Sequence, residues 1–143
     1  INQAIIDGII KSANLGREIE VAVCGNDKPI SSVCGEIIPN SDFYDYETKY
    51  ITDCAQCLAP ADLSEEVSEN IRKLAVKVYS ALGCSGLSRV DFFLTESGAM
   101  LNEINTIPGF TPISMFPILM GCIGIGYTDL ITKLLLLAEG IEE

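Results

Sequence analysis

The residues whose types and spacing can do chemistry lie on two short β-strand-like segments of this 143-residue chain, 87–95 and 99–105. A three-residue loop centred on Ser97, with glycine in the left-handed position, joins them. If the strands pair symmetrically about this loop, Asp91 lies directly opposite Glu103, and a bulge at the loop would shift the pairing by one residue. Because side chains alternate across a strand, one face carries a polar set and the other an apolar set. The polar face holds Arg89, Asp91, Phe93, Leu101, Glu103 and Asn105, and the apolar face holds Val90, Phe92, Leu94 and Ile104.

Two carboxylates at opposite positions have Cβ atoms about 4.5–5.5 Å apart and repel one another unless a cation lies between them. In one interpretation Arg89 supplies that cation, and the cluster is a partly exposed salt bridge that contributes about 0–1 kcal/mol. In the other, Asp91, Glu103 and the amide of Asn105 are hard oxygen ligands for magnesium or manganese, which add substrate phosphates. Arg89 is then a fixed cation where negative charge gathers on phosphoryl or tetrahedral oxygens. The spacing alone leaves both interpretations open.

The composition excludes several classes of function. Nine Lys and Arg residues stand against 20 Asp and Glu, and this net charge of −11 disfavours nucleic acid and anionic lipid as partners. The chain has no histidine, which excludes Ser-His-Asp and Cys-His triads and imidazole-bound zinc. Its six cysteines are scattered, which indicates reduced thiols and a cytoplasmic protein. Cys54 and Cys57 have the C-x-x-C spacing, which as a single pair does not define a zinc or redox site.

An uncharged stretch over 104–128 raises the question of a membrane span. Three prolines and four glycines would interrupt any helix through it, so we expect no membrane-spanning segment. The chain begins at Ile1 with no visible signal peptide, and we interpret it as a fragment of a longer protein.

Apolar periodicity indicates two hairpins and two helices. Alternation of polar and apolar residues predicts a β-hairpin over 17–38, and helical spacing predicts helices over 62–82 and 129–138. With the second hairpin over 87–105, these elements predict an α+β fold. In this fold an antiparallel sheet carries the helices packed on one face.

Two loops are candidates for contact with a ligand. The polar and aromatic segment 42–50 has the composition of a surface loop. The pair Pro108-Gly109 directly follows the polar hairpin face and predicts a type II turn with Gly109 at positive φ. The backbone N–H of such a glycine can approach a ligand closely.

Four segments that carry these candidates are recognisable together. They read GREIEV over 16–21, FYDYETKY over 43–50, SRVDFF over 88–93 and LNEINTIPGFT over 101–111. In this order they resemble the C-terminal part of D-alanine–D-alanine ligases, members of the ATP-grasp superfamily. The resemblance implies a C-terminal ATP-grasp domain over 1–143, truncated at its N-terminal side. It also implies a reaction in which ATP phosphorylates the carboxylate of one D-alanine, and the amine of a second D-alanine attacks the acylphosphate to give a dipeptide for peptidoglycan precursors.

The resemblance assigns roles on the polar hairpin face. Asp91, Glu103 and Asn105 match the family's magnesium (or manganese) ligands, with Glu103 shared by two ions. Arg89 matches the arginine that stabilises the transferring phosphoryl group and the tetrahedral intermediate, and Gly109 matches the backbone donor beside it. ATP and magnesium or manganese are therefore the implied cofactors.

The resemblance also assigns substrate contacts outside that face. Glu18 matches the acidic residue that holds the nucleotide ribose, and Phe93 matches an apolar floor beneath adenine. Lys49 and Tyr50 match a loop that closes over the nucleotide and excludes water from the acylphosphate. Ser114 matches the hydroxyl that grips the carboxylate of the second substrate.

The sequence departs from the family pattern at its beginning. Lys11 stands where the family has an acidic residue that binds the adenine amino group, and the stretch Ile9–Leu15 differs from the expected hinge strand. The phosphate-binding lysines, the glycine-rich loop and the N-terminal domain that binds the first D-alanine are missing upstream, so we expect this chain alone to be inactive. The missing N-terminal half would cover apolar surface, so we expect a homo-oligomer or a domain-swapped assembly.

Other functions are compatible with the same residues. One is a D-alanine–D-serine ligase of the vancomycin-resistance type, although Met115 after Ser114 resembles the D-alanine enzymes. Another is a non-catalytic ATP-grasp remnant. A third is a metal-dependent phosphatase or nuclease built on the same carboxylates, and stimulation of phosphate release by D-alanine would distinguish the ligase from it.

Overall fold

In the computed structural model of the protein, residues 16–38 and 56–142 are described. The strands among them form one antiparallel sheet in the order β3-β2-β1-β4-β5, so β1 lies at its centre. The elements are the strands β1 (Arg17–Gly25), β2 (Ile30–Ile38), β3 (Gln56–Leu58), β4 (Gly86–Thr95) and β5 (Gly98–Asn105), and the helices α1 (Glu65–Ala81), α2 (Met115–Cys122) and α3 (Tyr127–Ala138).

Both faces of the central strand β1 are covered by helices. Ile19, Val21 and Val23 point to one face, where they pack against the buried side of α1. Ala22 and Cys24 point to the other face and pack against α2 and α3. The α+β class and the antiparallel sheet are confirmed, whereas the expectation that the helices share one face is wrong. Acidic residues alternate with apolar ones where β1 begins, and this pattern suggested a strand open to solvent on one side.

Helix α1 begins at Glu65 rather than at Asp62. Ser64 is its N-cap, and the Ser64 Oγ accepts a hydrogen bond from the Val67 N–H at 3.4 Å. After the helix the chain turns at Gly83, whose φ of 67° suits a residue without a Cβ. The expected apolar periodicity of this helix is therefore present, with a different cap.

Helix α2 is not expected from the sequence. Pro117 argues against a helix, but it stands in the first turn of α2. Backbone N–H groups in the first turn have no acceptor within the helix, so a proline there removes no helical hydrogen bond. The helix packs closely on β2, because a Cβ at Gly35 would lie 2.9 Å from Leu119 Cδ2. In the described ranges no single helix is long and apolar enough to cross a membrane, and α2 and α3 meet that test only as a pair bent by 100°.

Among the cysteines of the described ranges, Cys24, Cys34, Cys84 and Cys122 are free thiols. Burial raises the pKa of the Cys24 thiol to about 11, so this side chain behaves as a small apolar residue. Cys54 lies outside the described residues, so the structure does not test the C-x-x-C spacing of Cys54 and Cys57.

We expect Tyr79→Phe to lower the free energy of unfolding by about 1–3 kcal/mol. The Tyr79 hydroxyl donates a 2.7 Å hydrogen bond to the Gly25 carbonyl, and both groups are buried where α1 meets the end of β1. Without the hydroxyl, that carbonyl stays buried without this donor. Urea unfolding measures the effect. Tyr127→Phe is the matched control, because its hydroxyl donates to the Phe110 carbonyl at an exposed position, and its loss should stay within about 0.5 kcal/mol.

Candidate functional site

The hairpin of β4 and β5 has the expected register at the end that lies away from its turn and carries the candidate site residues. Asp91 pairs with Glu103, and Arg89 pairs with Asn105. Beyond this point the register shifts by one residue, and Asn102 is the extra residue of the bulge. At the turn, Gly98 has the expected positive φ, at 117°.

The bulge changes one member of the polar face. Met100, rather than the expected Leu101, is the partner of Phe93. Leu101 instead pairs with Phe92 and is about half exposed. Symmetric pairing about the turn could not show this, because a single extra residue moves every later side chain of the strand to the other face.

Strand β1 brings two further carboxylates to the polar face of the hairpin. Glu20 pairs with Asp91, and Glu18 pairs with Phe93, so all four side chains point to the same side of the sheet. Further along β1, near Ala22, helices α2 and α3 cover the same face of the sheet. The polar side chains therefore lie on the part of this face that is next to the two helices.

Arg89 connects two strands through its guanidinium. Its Nε and Nη2 each donate a 2.8 Å hydrogen bond to one of the two Asp91 carboxylate oxygens. The same Nη2 lies 3.3 Å from Glu20 Oε1. Asp91 is 1% exposed, so this bidentate pair neutralises a buried charge. The pKa of Arg89 is raised, mainly by the hydrogen bonds that its guanidinium donates to Asp91; burial opposes this rise, and the negative charges of Glu20, Asp91 and Glu103 add to it.

Glu20 is the site residue that sequence reasoning missed. It is 4% exposed, and its Oε2 has no hydrogen-bond partner. The pKa of Glu20 is raised to about 7, mainly by burial and also by the negative charges of Asp91, Glu18 and Glu103, against the opposing effect of Arg89. The pKa of Glu18 is also raised, mainly by burial. The alternation of the two glutamates along β1 places them on one face, but no local pattern shows that Asp91 lies beside them.

The charges of this face fit a divalent cation. Four carboxylates, those of Glu18, Glu20, Asp91 and Glu103, act on one another there, and Arg89 is the guanidinium that acts on all of them. The described residues contain no group of three or more His, Cys, Asp and Glu side chains arranged to hold a metal. The ligand set expected from the sequence, two carboxylates and the Asn105 amide oxygen, stays a prediction. The excess of negative charge and the unpartnered Glu20 oxygen are compatible with a cation on this face.

The amide of Asn105 is held by the chain that follows it. Its Oδ1 accepts a hydrogen bond of 3.1 Å from the Ile107 N–H, which orients the side chain at the end of β5. A lone pair of this oxygen is left for a second partner.

The loop between β5 and α2 contradicts one expectation. Gly109 does not have a positive φ, so the predicted type II turn is wrong. The backbone approaches a side chain closely here, because a Cβ at Gly109 would lie 3.0 Å from Ser114 Oγ, a tight contact that the hydroxyl would have to relieve. The Ser114 hydroxyl accepts a 3.0 Å hydrogen bond from the Thr111 N–H and lies 2.8 Å from Thr111 Oγ1. Ser114 is also the N-cap of α2 and makes no side-chain bond to that helix.

Three candidates lie outside the described residues. These are Lys11, Lys49 and Tyr50. Their expected places at the adenine pocket and in the closing loop stay predictions.

We expect Glu20→Gln to remove a pH-dependent loss of stability in the metal-free protein. The pKa of Glu20 is about 7 in the folded state and 4.5 for the same side chain in the unfolded chain, so the folded state binds the proton more tightly. The free energy of unfolding therefore falls as pH rises from about 4.5 to 7, by about 1–3 kcal/mol. Urea unfolding from pH 5 to 8 should show the variant gaining on the wild type as pH rises. The pH dependence of the free energy of unfolding for Glu96→Gln, in the exposed hairpin turn, should match that of the wild type. If Glu20→Gln also shows the wild-type pH dependence, the prediction is contradicted.

The sequence model described as D-ala D-ala ligase C-terminus matches residues 3–136. The chain belongs to this family. Two relatives named D-alanine–D-alanine ligase are similar to it over 91% of the chain. The protein of Chlorobaculum tepidum is 58% identical over 133 residues, and ligase A of Escherichia coli K12 is 54% identical over 132 residues. In each case the chain spans 36% of the relative's length.

Solved structures of ligases in this family have the same fold. The D-alanine-D-alanine ligase from Coxiella burnetii is 42% identical with a TM-score of 0.74, over 86% of this chain and 32% of that one. The VanG D-Ala:D-Ser ligase from Enterococcus faecalis is 43% identical with a TM-score of 0.74, over 85% of this chain and 36% of that one. Overall similarity therefore does not separate the two acceptor specificities.

Met115, which follows Ser114 in this ligase domain, is buried in the packing of α2 on the sheet. It is 6% exposed, and its Sδ lies 3.0 Å from the position of a Cβ on Gly35. Its side chain packs toward β2, so its identity is explained by packing.

Proposed function

We propose that the protein containing this chain is an ATP- and magnesium-dependent D-alanine–D-alanine ligase of peptidoglycan precursor synthesis. The observation that carries the proposal is the cross-strand pair of Asp91 and Glu103 beside a guanidinium, on a face with an excess of carboxylates. Membership in the ligase family supports assigning the ligase reaction to this face. ATP would phosphorylate the carboxylate of one D-alanine, and the amine of a second would displace the phosphate.

Asp91, Glu103 and Asn105 would hold the magnesium, or manganese in its place. These hard oxygen donors come from β4 and β5, whose register brings them to one face. When bound, the ion neutralises charge on the nucleotide phosphates. What the chain itself supplies is a rigid pair of strands that holds the donors before the ion arrives.

Arg89 would stabilise negative charge on the transferring phosphoryl group and on the oxyanion of the tetrahedral intermediate that follows. Its guanidinium is held by a buried carboxylate, so it needs little rearrangement to act. The hydrogen bonds from Arg89 to Asp91 also link the arginine to the proposed ion site.

Two residues near α2 would bind the second D-alanine. The Gly109 backbone N–H would donate to the developing oxyanion, and the Ser114 hydroxyl would donate to the substrate carboxylate. Ser114 lies at the N-terminus of α2, where a carboxylate is favoured because the first N–H groups of a helix have no acceptor within it.

The nucleotide would lie over the end of β1 and β4. Glu18 would accept hydrogen bonds from the ribose hydroxyls, and Phe93 would pack beneath adenine, with Met100 beside it across the strand. Lys49 and Tyr50 would close over the site and exclude water from D-alanyl phosphate, which water would otherwise hydrolyse.

The chain spans about a third of the length of its relatives, and the reaction is proposed for the protein in which it is joined to their remaining part. By itself we expect the chain to be inactive and to self-associate as a homo-oligomer or a swapped dimer. Ile107 and Ile113 support this, because they are 88% and 86% exposed and favour burial against another surface. We propose the cytoplasm as the site of action.

The test uses the complete gene product that contains this chain, with ATP, magnesium and D-alanine. We expect phosphate release that requires D-alanine and a dipeptide detected by mass spectrometry. D-serine offered with D-alanine should give little mixed dipeptide, and a dominant mixed dipeptide would indicate the D-alanine–D-serine ligase. Phosphate release that does not depend on D-alanine would indicate a phosphatase, and no release with no ADP binding would indicate a non-catalytic remnant.

A further inference from the structure

The guanidinium of Arg89 faces two carboxylates from neighbouring strands, and it is bonded to them unequally. Asp91 receives two hydrogen bonds of 2.8 Å. Glu20 has one contact with the guanidinium, 3.3 Å between its Oε1 and Arg89 Nη2, and its Oε2 has no hydrogen-bond partner. Buried carboxylate oxygens are rarely left in this state, because an unsatisfied buried acceptor costs about 1–3 kcal/mol or more.

A cation at Asp91 would disturb this arrangement. A divalent ion and a guanidinium on the same carboxylate repel one another, so the ion weakens the hydrogen bonds between Arg89 and Asp91. Glu20 lies directly across from Asp91 on β1 and already touches Arg89 Nη2. A small rotation of the Arg89 side chain toward β1 would give the unpartnered Glu20 oxygen a donor.

We propose that Glu20 is a positioning residue that takes over the Arg89 guanidinium when a divalent cation binds Asp91. Contact with Glu20 then keeps the Arg89 side chain beside the phosphoryl group, so that the side chain does not swing out into solvent. This inference rests on the proposed function, since it needs the ion site at Asp91. It explains why a buried acidic residue with an unpartnered oxygen stands on β1, where a neutral side chain would avoid the cost of burial.

The experiment measures binding of Mn²⁺ alone to the complete gene product by electron paramagnetic resonance. Four proteins form a double-mutant cycle, namely the wild type, Glu20→Gln, Arg89→Met and the double variant. We expect Glu20→Gln to weaken Mn²⁺ binding about 5- to 10-fold when Arg89 is present, because Arg89 then stays on Asp91. In the Arg89→Met background the same change should weaken binding less than about 2-fold.

Glu18→Gln is the control for charge alone. It removes a negative charge from the same face of β1, whereas the described ion pairs of Arg89 are with Glu20 and Asp91. Its effect on Mn²⁺ binding should be equal with and without Arg89. If Glu20→Gln behaves in the same way, or has no effect, the positioning role is wrong.

Two further variants keep the outcomes separate. If Asp91→Asn leaves Mn²⁺ binding unchanged, the proposed ion site itself fails, whatever Glu20 does. If Arg89→Met does not fold, Arg89→Lys replaces it in the cycle, because one ammonium cannot form the bidentate pair and reach the second carboxylate. The effect of Glu20→Gln should then fall below about half its value in the Arg89 protein, and an undiminished effect would overturn the proposal.

Discussion

In the complete gene product that contains this chain, Arg89→Met should lower the proposed D-alanine-dependent phosphate release by at least about 100-fold and destabilise the fold by about 3–5 kcal/mol. The first effect follows from the loss of a fixed cation where charge would develop in the proposed reaction. The second follows because Asp91, at 1% exposure, would keep a buried charge with no counter-ion from this side chain. Steady-state kinetics measure the first effect and urea unfolding measures the second.

Arg17→Met is the matched control for Arg89→Met. Arg17 also holds a carboxylate in a bidentate pair, with its Nε and Nη2 each 2.6 Å from an oxygen of Glu36. That pair lies on the α1 side of the sheet, away from the carboxylates of the site. The control should lose stability and keep its turnover per folded molecule. If both variants keep their turnover, Arg89 is only a structural partner of Asp91.

Glu103→Gln should weaken Mn²⁺ binding and lower phosphate release, each by at least about 100-fold. Loss of a direct ligand should exceed the 10- to 100-fold effects of changes outside the coordination shell. Stability should change little or rise slightly, because the variant removes a like charge facing Asp91 across the strands. The loss of binding with retained stability separates an ion ligand from a salt-bridge partner.

Glu96→Gln serves as the control for Glu103→Gln. It removes the same charge from the same hairpin, at an exposed position in the turn. Its Mn²⁺ binding and activity should match those of the wild type. Equal behaviour of the two variants would favour the interpretation in which the hairpin face is a salt-bridge cluster.

The sequence predicted the contacts that are local in the chain. The pairing of Asp91 with Glu103 follows from one short turn, and it is confirmed together with the positive φ of Gly98. The bulge at Asn102 could not be predicted, because an unpaired residue leaves the apolar pattern on either side of it intact. Met100 therefore takes the place expected for Leu101.

Contacts between distant segments were not accessible from periodicity. β1 pairs with β4 across more than sixty residues of chain, and no spacing within either strand shows this neighbour. Two features depend on this pairing of β1 with β4: the burial of Glu20 beside Asp91 and the packing of helices on both faces of the sheet. At Gly109 the expected positive φ is absent, and what the structure shows instead is a close approach of this residue to the Ser114 hydroxyl, which lies on a segment that follows the turn.

The ladder between β1 and β4 runs without interruption over nine residue pairs, from Arg17 with Leu94 to Gly25 with Gly86. A one-residue deletion within β1 would send the residues on one side of it to the opposite face of the sheet. Acidic groups would then enter the core under α1, and apolar ones would replace them in the site. Length variation among natural homologues should therefore be absent from this strand and tolerated at the β1–β2 turn, over 26–29, where added residues change no side chain's direction.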